Sequence, residues 1–94
     1  MTERFHLTEF RDIGGKQYCI STTDILGGMT SGIQKYISSM TGNYYETMIF
    51  PAKDKEVTDW GELYGARYNF QYEAENAHTA ICELSDEDFL KLLE

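Results

Sequence analysis

The chain has 94 residues, 41% of them apolar and 26% charged, with one proline and eight glycines, proportions of a globular chain with one modest core, so residues 1–94 are expected to form a single domain. No apolar run nears the roughly 18 residues of a membrane span, no secretory signal is apparent, and Cys19 and Cys82 make no disulfide framework, so a reducing cytoplasm is the expected setting. The net charge of −8 works against direct binding of nucleic acid, because phosphate contacts need cations.

Phe5 to Ile13 and Gln17 to Thr22 read as the arms of a hairpin turning at Gly14-Gly15, where paired glycines supply positive φ. Asp24 to Gly32 reads as a loop, rich in glycine, threonine and serine. Ile33, Tyr36, Ile37 and Met40 then fall at helical spacing, with Thr30 or Ser31 to cap the start and Gly42 the end. Tyr44 to Phe50 is the strongest strand, with Tyr45, Thr47 and Ile49 on one face and Glu46, Met48 and Phe50 on the other. Pro51 is expected to end it. After a polar turn at Lys53-Asp54-Lys55, Glu56 to Trp60 and Leu63 to Phe70 read as strand, with Gly61 and Gly65 as bulge or break.

The last quarter reads as two helices. Asn69 is expected to cap the first, over Gln71 to Leu84, with Ala74, Ala77, Ile81 and Leu84 inward. Ser85 starts the second, with Asp86, Glu87 and Asp88 in its first turn and Phe89, Leu92 and Leu93 inward. Trp60, Phe50 and Ile81 are expected to meet in the core between strands and helix.

Charge is unevenly divided. Residues 1–45 balance Arg4, Arg11, Lys16 and Lys35 against Glu3, Glu9, Asp12 and Asp24, so the whole −8 lies in residues 46–94. From Glu73 onward Lys91 is the sole base among Glu73, Glu75, Glu83, Asp86, Glu87, Asp88 and Glu94. Such a segment is either a solvated face or one that attracts a basic partner.

No constellation spells out a reaction. His78 and Cys82 stand at i, i+4, but His6 lies roughly 13–17 Å along the hairpin from Cys19, so the four do not converge on a zinc ion, and no metal or cofactor is expected. Cys82 has His78 one turn away, yet its acidic surroundings raise the thiol pKa. The loop Gly27-Gly28-Met29-Thr30-Ser31-Gly32 lacks the lysine of a phosphate-binding loop, and Asp54-x-Glu56 lacks the glycine of a calcium loop. Among the aromatics, Phe50, Tyr68 and Phe70 are expected in the core and Tyr44, Tyr64 and Tyr72 at the surface, where tyrosine suits protein interfaces.

The segment Tyr45-Glu46-Thr47-Met48-Ile49-Phe50, then Asp59-Trp60-Gly61-Glu62-Leu63, Arg67-Tyr68, and Glu73-Ala74 followed by Ala77-His78 has a pattern of its own. It resembles a module of small uncharacterised phage and prophage proteins: an E-T-M-(V/I)-F strand, an acidic W-x-E-L segment, R-Y, and a helix opening E-A-x-x-x-H. The likeness covers about residues 44–80, with Ala77 where a glycine usually precedes the histidine. It implies origin in a mobile, phage-like genome and carries no activity.

The expected fold is α+β: an antiparallel sheet of four to five strands with helices packed on one face, in the order ββα-ββ(β)-αα. The expected function is a non-enzymatic, anti-CRISPR-like inhibitor in the host cytoplasm. It would occupy the basic surface of a host nucleic-acid-handling protein, with Glu73, Glu75, Glu83, Asp86, Glu87 and Asp88 standing in for phosphates and Tyr44, Tyr64 and Tyr72 beside them. The alternative is a small phage structural or assembly protein acting through homo-oligomerisation. An enzyme or small-ligand binder acting on a nucleotide signal is a third class.

Overall fold

The computed structural model describes residues 5–25 and 44–94. The helix expected from Ile33 to Met40 and the glycine-rich loop before it lie outside these residues. The described chain is an α+β fold: strands β1 (His6–Ile13), β2 (Lys16–Asp24), β3 (Tyr45–Lys53), β4 (Glu56–Val57) and β5 (Tyr64–Tyr68), then helices α1 (Gln71–Glu83) and α2 (Asp86–Leu92). The five strands form one antiparallel sheet in the order β1-β2-β3, with β4 and β5 both pairing along the far side of β3.

Two tight turns set the register. Gly14 and Gly15 both have positive φ, 58° and 81°, as a two-residue hairpin turn requires, and the turn places Phe10 opposite Cys19. At the β3–β4 turn the same left-handed geometry is taken by Asp54 and Lys55, with φ of 53° and 62°. Aspartate tolerates this region because its short side chain bonds locally.

Strand β3 does not stop at Pro51 but runs on to Lys53. The Pro51 carbonyl accepts from the Thr58 N–H at 3.0 Å, so the proline's bare nitrogen also faces the β4 side, where pairing ends after Val57. The missing donor therefore breaks no bond with β2. The other second-half strands are shorter than their patterns: β4 has two residues, not five, and β5 spans Tyr64–Tyr68 rather than Leu63 to Phe70. Asp24, expected in a loop, closes β2.

Alternation gives the sheet two different faces. Ile13, Tyr18, Ile20 and Ile49 point to the side covered by the helices and pack with Ile81 and Phe89 into one core cluster. Phe89 is fully buried, its ring 5.4 Å from that of Tyr18. Helix α1 contributes Ala74, His78 and Ile81 as its buried stripe. Its N-cap is Phe70, not Asn69, and the Glu73 carboxylate accepts from the Phe70 N–H at 3.2 Å. Ser85 caps α2 as expected, its hydroxyl accepting from the Asp88 N–H at 3.1 Å.

The core expectations are corrected at four positions: Phe50 is buried but on the side of the sheet opposite Ile81, Tyr68 is half-buried, and Trp60 and Phe70 are at the surface. Trp60 is 73% exposed and Phe70 is 56% exposed. Trp60 lies on the connection after β4, which leaves the sheet early, and packs edge-on against Phe50 at 5.2 Å from the side opposite the helices. Phe70, at the helix start, stacks on Tyr72 at the surface with ring centroids 5.7 Å apart.

Candidate functional site

The acidic candidates divide by what already holds them. Glu75, Glu83, Glu87 and Asp88 are exposed on the helical layer, whose other side is buried against the sheet. On α1 Gln71, Tyr72, Glu75, Thr79 and Glu83 are among the exposed residues and form one solvent-facing stripe, and α1 carries no lysine or arginine. Glu73 is half-buried and serves as the α1 cap. Asp86 keeps a 68% exposed side chain but is bound by the Arg11 guanidinium at 3.0 Å. Glu87 makes an i, i+4 pair with Lys91 at 3.5 Å between two exposed side chains, a weak contact in solvent.

Of the tyrosines, Tyr72 is 62% exposed. Tyr44 and Tyr64, expected at the surface, are half-buried: Tyr64 packs against the core cluster, and Tyr44, just before β3, donates its N–H to the Tyr68 carbonyl at 3.0 Å. The structure thus brings Tyr72, with its stacked neighbour Phe70, to the start of the acidic α1 stripe. Phe70 is expected in the core because a large aromatic at the end of an alternating strand reads that way, yet it is 56% exposed.

Arg11 was not singled out by sequence. Its guanidinium crosses from β1 to donate to the carbonyls of Ile81 (3.3 Å), Cys82 (3.4 Å) and Leu84, and lies 4.8 Å over the Phe89 ring. It thereby adds a cationic donor to the carbonyls at the end of α1, where the Ile81 carbonyl also accepts from the Leu84 N–H, and ties α2 to the sheet through Asp86.

The histidines and cysteines fall on opposite sides of the sheet. His6 and Cys19 belong to the open face, while His78 and Cys82 sit on α1 against the other. Among the described residues no group of three metal-ligating side chains comes together. His78 is buried, and its Nδ1 meets the Thr22 hydroxyl at 2.7 Å. Thr22 in turn meets Thr47, its cross-strand partner, at 2.6 Å, and both threonines are fully buried. Burial holds the His78 imidazole below its ordinary pKa; Glu9 opposes the shift and His6 adds to it. Burial also pushes the Cys82 thiol up; Glu9 and Glu83 add to this, and Arg11 opposes it. Burial likewise raises Cys19. Neither thiol is set up as a thiolate nucleophile.

Among the described residues no helix is long and apolar enough to cross a membrane. No protein-family model, no curated protein and no solved structure matches this chain.

Proposed function

We propose that this chain is a non-enzymatic, phage-type acidic protein that inhibits a host nucleic-acid-handling protein, in the manner of anti-CRISPR proteins. It binds by laying its helical layer on a basic surface. One observation carries the reading: Glu75, Glu83, Glu87 and Asp88 project from helices whose inner side is fixed by Ile81 and Phe89, so the acidic charge is presented on an ordered scaffold. Tyr72 and Phe70 add exposed aromatic area at one end, the residue type that anchors protein interfaces. Carboxylates held this way meet a basic channel as phosphates would, and their field speeds encounter.

Capture from host lysate on the immobilised chain, followed by elution with duplex DNA, tests this. Duplex DNA should displace the captured protein, because both occupy one basic surface. A captured protein that DNA fails to displace at any concentration would contradict the phosphate-mimic reading.

The oligomerising phage assembly protein remains the second reading. It is favoured by β1, an eight-residue strand paired among the described residues with β2 alone, and by the exposed Trp60. Light scattering across a concentration series separates the two: a stable oligomer favours assembly, a monomer the inhibitor.

A further inference from the structure

The side of the sheet away from the helices carries a groove of about 400 Å³. Its floor is the cross-strand row Phe10, Cys19 and Phe50, and Trp60 forms one wall. In the next row Thr8 faces Ser21, and the His6 Nε2 meets the Thr8 hydroxyl at 2.9 Å and the Ser21 hydroxyl at 3.2 Å. Lys55, from the β3–β4 turn, also lines the groove.

The charge of this lining is its most telling property. The chain has 16 acidic residues, yet among the described residues no aspartate or glutamate lines the groove, and the basic side chains that line it are Lys55 and His6. Two other hollows of the surface do carry carboxylates, Asp12 and Asp54 in one and Glu46 and Glu62 in the other. Asp59, next to Trp60, turns its carboxylate to the Gly61 N–H at 2.8 Å. Trp60 is steadied by Phe50 while most of its indole stays in solvent, which leaves a ring surface open to stacking.

We infer that this groove binds a small planar aromatic anion of about mononucleotide size. The ring system lies between half-buried Phe10 and exposed Trp60, with the buried Phe50 behind them, the anionic group meets the Lys55 ammonium, and the His6, Thr8 and Ser21 cluster offers hydrogen bonds at the other end. Stacking on aromatic side chains suits any planar ring, whereas the lysine selects for negative charge. The site lies on the face opposite the acidic helical layer, so it stands or falls independently of the inhibitor reading.

The test is an NMR titration of the full ¹⁵N-labelled chain with adenosine monophosphate and 1-naphthoate, beside neutral adenosine, neutral 1-naphthalenemethanol and inorganic phosphate. The expected result is saturable shifts at the Phe10, Cys19 and Phe50 amides and the Trp60 indole with an aromatic anion, weaker binding of its neutral counterpart, and none of phosphate. A response to the nucleotide alone assigns the groove to nucleotides, to naphthoate alone to aryl carboxylates, and to both to aromatic anions generally. Absence of saturation, equal affinity for charged and neutral rings, or binding of phosphate alone overturns the proposal. Lys55→Asn is the companion variant, because asparagine accepts the left-handed backbone that Lys55 holds. It should weaken the anion by up to about fivefold, the scale of one exposed charge contact, and leave the neutral ring unchanged. Loss of neither, or equal loss of both, contradicts the assigned role of the lysine.

Discussion

Ile20 and Ile49 face each other across β2 and β3 and are sealed from water by α1 and α2. One residue along the same strands, Cys19 and Phe50 face each other on the opposite side, also buried, and a mostly exposed Trp60 packs edge-on against Phe50. The two faces thus share one backbone and one register and differ in what covers them. The covered face binds the molecule together, and its helices turn their acids outward. The open face keeps a groove that no carboxylate lines among the described residues. Substitutions should therefore separate cleanly into those that unfold the protein and those that alter only its surfaces.

The largest expected effect is Phe89→Ala. It removes a fully buried ring that touches Tyr18 and Arg11, and should cost about 3–5 kcal/mol. Chemical denaturation would measure it; a loss below about 1 kcal/mol would mean that α2 does not seal the covered face. Arg11→Met keeps the apolar stem but removes the guanidinium donor from the Ile81, Cys82 and Leu84 carbonyls. It should cost about 1.5–3 kcal/mol, the range for hydrogen bonds to a charged group. A melt within error of the parent would show that water serves the helix end equally well.

Acidification tests the buried polar chain within that face. His78 is held below its ordinary 6.5, so the unfolded chain takes up a proton that the folded chain resists. Its contribution is fully present above about pH 6.5 and is lost as pH falls from there toward the folded value. His78→Gln keeps a partner for Thr22 without titrating, so its melting temperature should change less than the parent's between pH 7 and 5. Parallel profiles would place the titration elsewhere. The smallest effect belongs to the open face: Trp60→Ser should cost less than about 1 kcal/mol, because its ring is mostly in solvent already. A large loss would mean that the open face is core after all.

What was legible in the sequence was local. The Gly14-Gly15 turn, the alternation of β3, the Ala74, Ile81 stripe of α1 and the Ser85 cap each depend on neighbours within a few residues, and each is found in place. Pro51 misled because the cost of a proline depends on which side its nitrogen faces, and that is set by where β4 ends. Trp60 and Phe70 misled because size argued for burial, while β4 and β5 are too short to carry either ring inward. The Arg11 clasp joins β1 to residues 70 or more positions away, and the His78–Thr22–Thr47 chain links three elements. No periodicity encodes such contacts. Of the candidate site, exposure of Glu75, Glu83, Glu87, Asp88 and Tyr72 was readable from helical spacing, whereas the engagement of Glu73 and Asp86 was not.

The central claim is that the helical layer, through its charge, is the binding surface. The most direct measurement compares the parent with the triple variant Glu75→Lys, Glu83→Lys, Glu87→Lys for binding to the protein recovered on the immobilised chain, at low and high salt. All three positions are exposed and none belongs to the Arg11 clasp or the α1 cap, so the fold should survive, as circular dichroism would verify. The account predicts that parent affinity falls as salt screens the charges and that the triple variant fails to bind at either concentration. Equal binding by parent and variant, with no dependence on salt, would contradict it.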